Sequence, residues 1–175
     1  MDYKFIVDFQ TELQKYRNER RLSYVEQQEG LVANFLDEVK EFARATTTEN
    51  MAEEVCDLAI YILNSFPIHV RSMVTHNNSM LHKSSVKDIM LYFLAEYVTM
   101  DMELKTDIDE SIHLNLLDII FCAIEDLGYD YKLALNEKLK VINSRKGYYN
   151  VDLKKFIKTD SGSYTADFSK CKLKK

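Results

Sequence analysis

The chain has 175 residues, 46% of them apolar and 29% charged, with 4 Gly, 1 Pro and no Trp. That length suits one domain with a sizeable core, and so little Gly and Pro excludes a turn-rich β sandwich or a glycine loop that cradles phosphates. The balance of 23 Lys and Arg against 28 Asp and Glu argues against a nucleic-acid-binding surface.

Apolar residues recur at helical spacing through most of the chain. Phe5, Phe9, Leu13 and Tyr16 predict a first helix over about 3–20. Leu31, Phe35, Val39 and Phe42 predict a second over about 27–45. The polar connector TTTEN at 46–50 offers Thr48 or Asn50 as a cap for the third. That helix, over about 50–66, carries Met51, Val55, Leu58, Ala59 and Ile62 on one face and ends before Pro67. Residues 76–85 read as a loop, with a fourth helix at about 85–104. A fifth covers about 110–127 and stops at Gly128, a good helix terminator; a sixth covers about 130–146 and stops at Gly147. Beyond it the periodicity ends, and the Lys-rich remainder reads as an extended or mobile tail. The expected architecture is therefore an all-α bundle of about six helices over 1–147, followed by a basic tail at 148–175.

The opening MDYKFIVDFQ is charged from its second residue, so no secretory signal is expected. No apolar run approaches the roughly 20 residues of a membrane span. Cys56, Cys122 and Cys171 form no CxxC, and two of them lie in apolar helical patterns as small buried hydrophobes. A soluble cytoplasmic protein with no membrane partner and no stable nucleic-acid partner is the expectation.

Charge is unevenly distributed. Residues 150–175 carry seven Lys and three Asp, which leaves 16 basic against 25 acidic side chains in 1–149. Four of those acids form two pairs on consecutive helices, Glu38-x-x-Glu41 and Glu54-x-x-Asp57. Spacing of three puts both members of a pair on one helix face. With Phe35 and Met51 as the centres of the two apolar faces, Glu38 and Glu54 each lie about 60° to one side and Glu41 and Asp57 about 120°. A hairpin through 46–50 brings all four carboxylates together. Such a group repels itself unless a cation sits among them, and hard oxygen ligands suit Mg²⁺ or Mn²⁺. The plainer reading is a pair of solvated helix faces.

These residues resemble the metal motif of the all-α nucleoside triphosphate pyrophosphohydrolases, the MazG-like and dimeric dUTPase-like group. NEKLKVINSRKG at 136–147 resembles that family's later helix, and the likeness spans about residues 30–147. It implies a MazG-like bundle and a homodimer. It also implies Mg²⁺ (or Mn²⁺) held by Glu38, Glu41, Glu54 and Asp57, with Lys138, Asn143 and Arg145 on the phosphates or substrate. The implied reaction is attack of water on the α-phosphorus of a (deoxy)nucleoside triphosphate, releasing pyrophosphate and a monophosphate. Glu41 is the carboxylate named as a general base.

The extra length between the acid motif and the fifth helix suggests a degenerate internal repeat. In that register Phe35, Leu36, Glu38 and Asp57 pair with Phe93, Leu94, Glu96 and Asp118, while Glu41 and Glu54 become Thr99 and Asn115. Asn64 and Tyr61 extend the acid-bearing side of the third helix, and Asn64 is a candidate for reading a base. Gln10 and Gln14 are either base contacts or surface residues. The tail at 145–158 is either a flap, with Lys154, Lys155 or Lys158 on phosphates and a Tyr or Phe156 on a base, or a solvated end. His69, His76 and His82 show no zinc spacing. Two rival classes remain: a non-catalytic helical module whose acidic face binds a basic partner, and a di-iron bundle. The latter rests on Glu110-x-x-His113, half of the pair of motifs such a site needs.

Overall fold

The computed structural model describes residues 1–68, 89, 110–150, 152, 155–160 and 164–174. Among these, five α-helices run in chain order: α1 (Tyr3–Arg20), α2 (Tyr24–Arg44), α3 (Thr48–Ser65), α4 (Glu110–Asp126) and α5 (Tyr131–Ser144). The first three and the last two match the sequence reading to within a few residues. The loop at 76–85, the helix expected at 85–104, His69, His76 and His82, and the repeat's Phe93, Leu94, Glu96 and Thr99 lie outside the described residues. No helix among the described residues is long and apolar enough to cross a membrane.

Local chemistry sets the helix ends. Asp2 caps α1 by accepting from the Phe5 amide at 3.1 Å. Ser23 and Glu26 form a reciprocal capping box at α2. Thr47, rather than Thr48 or Asn50, caps α3 through the Asn50 amide at 3.1 Å. Gly128 ends α4 with φ of 92°, a conformation that a Cβ would strain.

Helix α3 is the spine. It packs against α1, α2, α4 and α5, and Val55, Leu58, Ala59 and Ile62 on it are fully buried. Helix α2 folds back along α3 and buries Leu31 and Phe35 there. The carbonyls at the end of α3 are satisfied from two sides. Gln10 is buried and donates to the Leu63 and Phe66 carbonyls at 3.0 and 2.6 Å. Gln28 donates to the Ser65 carbonyl at 2.9 Å. Gln10 therefore ties α1 to α3; it is neither a base contact nor a surface residue. Gln14 is exposed, and it donates to Asn18 at 2.7 Å.

The tail is built differently from the sequence expectation. Lys146–Asn150 (β1) and Lys155–Asp160 (β2) pair as an antiparallel hairpin, with Tyr149 opposite Phe156. Gly147 sits inside β1 and does not end a helix; a Cβ there would lie 2.2 Å from the Ile157 carbonyl oxygen. Farther on, a 3-10 turn at Phe168–Cys171 buries both of its end residues. The Asp130 amide donates to the Cys171 carbonyl at 2.7 Å and the Leu173 amide to the Gly128 carbonyl at 2.9 Å, which ties this segment to the α4–α5 turn. Glu137, itself buried, accepts from the Tyr164 hydroxyl and the Asp167 amide. The boundary at 147/148 therefore cuts through a strand, and Phe168 and Cys171 beyond it join the core. Cys56 and Cys171 are buried and Cys122 half-buried, all three as free thiols.

Candidate functional site

The α2–α3 hairpin brings three of the four acids together. Glu38, Glu41 and Glu54 each offer a carboxylate oxygen, and these oxygens all lie within 4.8 Å of one another. Among the described residues none of the three forms an ion pair. Burial, a hydrogen bond shared with Glu54 and the nearby Glu54 and Glu41 charges push the Glu38 carboxyl up to about 7. Burial also raises Glu54. The Tyr61 hydroxyl donates to Glu38 at 3.1 Å, which fixes one oxygen of that side chain. Carboxylates held this close, two of them partly desolvated and none in an ion pair among the described residues, are suited to a hard divalent cation.

Asp57 stands apart from that group of three. Lys138 of α5 reaches its Oδ2 at 2.7 Å and Glu53 Oε1 at 2.7 Å. Burial pushes the Asp57 carboxyl up to about 6 even with Lys138 beside it. Burial works against the charge on Lys138, but Asp57 and Glu53 outweigh it and push its pKa up to about 12. Lys138 is only 4% exposed. Its place is thus beneath the acids as a brace for Asp57, and not in the open where a phosphate would meet it.

Beside the acids lies a cavity of about 520 Å³. Asp57, Tyr61 and Asn64 form its α3 wall, Gln27, Gly30 and Asn34 its α2 wall, and Tyr16 of α1 closes one side. Arg145, at the end of α5, and Phe156 and Lys158 of β2 complete it. Burial and the neighbouring Arg145 charge lower the pKa of Lys158. The cavity lining therefore combines acidic, cationic and aromatic side chains. Asn143 is exposed and is not part of the lining.

The hairpin is held over this cavity by chemistry that spacing alone does not reveal. Arg20 donates to the Arg145 carbonyl at 3.0 Å. Its guanidinium lies 4.0 Å from the Tyr16 ring centre and 5.1 Å from that of Phe156. The Tyr149 hydroxyl donates to Glu26. Residues missed from sequence include Arg17, fully buried against Asn64, together with Tyr16, Gln27 and Asn34. Gln27 and Asn34 fall seven residues apart on α2, eleven and four residues before Glu38 respectively, a spacing that places them on the acid-bearing side.

The remaining candidates are structural or lie elsewhere. His113 is buried and stacks on Phe66, with ring centres 3.9 Å apart; the side chain of Glu110 lies outside the described residues. Asp118 faces the amino terminus at 4.0 Å.

The chain matches no family model, no curated protein and no solved structure. What the site does must therefore be read from its own geometry.

Proposed function

We propose that the protein is a Mg²⁺-dependent nucleoside triphosphate pyrophosphohydrolase built on a MazG-like bundle, acting in the cytoplasm as a homodimer. One observation carries this reading. Three carboxylates that form no ion pair among the described residues converge within 4.8 Å, and Tyr61, which donates to one of them, lines a cavity that also holds Arg145 and Lys158. A bare acidic face made for a basic partner does not need a cavity with its own cations. A nucleoside triphosphate needs both, because its phosphates are anionic and its base is flat and apolar on its faces.

Glu38, Glu41 and Glu54 would hold the metal, with Asp57 as the fourth acid. When bound, Mg²⁺ or Mn²⁺ would polarise the phosphate oxygens and lower the pKa of a bound water. The protein's own groups do the rest. Tyr61 fixes the orientation of Glu38, and Lys138 keeps Asp57 ionised and aimed from behind. Arg145 and Lys158, which line the same cavity, neutralise the phosphate tail. Tyr16 and Phe156 offer ring faces to the base, and the hairpin excludes water. Water adds to the α-phosphorus and the bond to the bridging oxygen breaks, so the products are a nucleoside monophosphate and pyrophosphate.

The test is to incubate the protein with a panel of (d)NTPs and Mg²⁺ and to identify the products. Pyrophosphate release that disappears in Glu38→Gln and Glu54→Gln supports the proposal. Orthophosphate, no product, or full activity in those variants refutes it.

A further inference from the structure

The cavity contains a hydrogen-bond relay whose direction is fixed at its origin. Arg17 is fully buried, and a guanidinium only donates. Its Nη1 donates to Asn64 Oδ1 at 2.6 Å and to the Asn64 carbonyl at 3.2 Å. With Oδ1 committed to arginine, Asn64 must turn its amide nitrogen to the next neighbour. It does so, Nδ2 donating to Gln27 Oε1 at 3.0 Å. The carbonyl of Gln27 is thereby occupied, and its NH₂ group is what remains to meet a ligand. Amide orientation is often ambiguous; here a residue that cannot accept sets it.

The relay sits where a base would lie. Asn64 comes seven residues after Asp57, about 10 Å along α3, so it and Gln27 occupy the end of the cavity away from the acids. Other polar groups there do not impose a sign. Glu26 is committed to the α2 cap and to Tyr149, while Glu29 and Asn34 are exposed, where water competes for them. Bases of equal ring size differ in hydrogen-bond sign at one exocyclic position. Uracil and thymine carry a carbonyl where cytosine carries an amine, and guanine carries one where adenine carries an amine.

Resting on the proposed nucleotide site, we infer that Gln27 is a specificity-determining residue that selects keto bases over amino bases. Its NH₂ group donates to the exocyclic carbonyl of uracil, thymine, guanine or hypoxanthine. Cytosine or adenine would place a second donor against it and leave both unpaired.

The experiment measures binding of non-hydrolysable α,β-imido dUTP and dCTP in Mg²⁺ by calorimetry, with the matched ITP and ATP analogues as the purine pair. Wild-type protein should bind the keto member of each pair about tenfold or more tightly. Gln27→Glu still accepts from Asn64 but turns an acceptor toward the base, so the dUTP/dCTP ratio should fall below one; its folding is checked by circular dichroism. Equal binding within each pair, preference for the amino members, no binding at all, or an unchanged ratio in Gln27→Glu overturns the inference. Pyrophosphate release is assayed separately. Hydrolysis without base preference refutes the reader alone, whereas keto-selective binding without hydrolysis refutes the enzyme alone.

Discussion

Replacing Lys138 by Met tests how the acidic site is braced. The side chain keeps its apolar stem and loses only its ammonium group, so the change tests electrostatics with little disturbance of packing. In the native protein its Nζ is 2.7 Å from both Asp57 and Glu53, and Lys138 is 4% exposed. Asp57 is 15% exposed and Glu53 34%, so most of the loss falls on Asp57. Removing one partner of a buried pair costs about 3–5 kcal/mol, and the residual access of water to Asp57 points to the lower end, about 3. For a chain of this size that corresponds to a fall of about 6–12 °C in Tm. The sign with pH follows from Asp57. Its pKa of about 6 already lies above the ordinary 3.8 with Lys138 present, and it must rise further without it. The variant can therefore relieve its uncompensated charge by taking up a proton, and the deficit should shrink from pH 7.5 to pH 5. Urea unfolding at the two pH values reads this directly. A loss below about 1 kcal/mol, as for an exposed ion pair, or the same loss at both pH values would refute the reasoning.

The metal-free protein should lose stability as pH rises from about 5 to 8. Glu38 has a folded pKa of about 7 against an ordinary 4.5, so its contribution is complete below 4.5 and lost as pH passes through 7. The difference is worth about 3 kcal/mol at face value and about 1–2 once water at this half-buried site is allowed for. Millimolar Mg²⁺ or Mn²⁺ should restore it in a thermal melt, more at pH 8 than at pH 5; no metal effect at pH 8 would contradict the cluster's assignment. Phe168→Ala removes a ring 1% exposed and should cost about 3–5 kcal/mol by urea unfolding, whereas a solvated tail would make it neutral. Arg20→Met removes the guanidinium lying over the Tyr16 and Phe156 rings and should admit limited proteolysis within 146–160 while leaving helical circular dichroism unchanged; equal protease resistance would show that the hairpin is held by other contacts.

The helices were legible because their apolar residues repeat with helical spacing and their ends carry side chains that cap. Glu38, Glu41 and Glu54 were legible for the same reason: helical geometry turns spacing into direction, and a short turn turns two directions into one place. Asp57 kept the predicted face but not the predicted company, because Lys138 comes from a helix more than seventy residues later in the chain. Arg17 reads in sequence as one more polar residue. Only the packing of α1 against the end of α3 supplies the Asn64 carbonyl and amide that permit its burial. The hairpin was hidden by its lysines, which make 145–158 look solvated. The available signal was the aromatic and β-branched content of GYYNV and FIK on either side of a polar turn.

The position of bond cleavage tests the central claim most directly. One turnover of a nucleoside triphosphate with Mg²⁺ in heavy-oxygen water, followed by mass spectrometry of the products, shows which phosphorus the water attacked. The heavy oxygen should appear in the nucleoside monophosphate, with unlabelled pyrophosphate beside it. Label in orthophosphate or in pyrophosphate, or no turnover of any nucleotide, would contradict a pyrophosphohydrolase at Glu38, Glu41, Glu54 and Asp57.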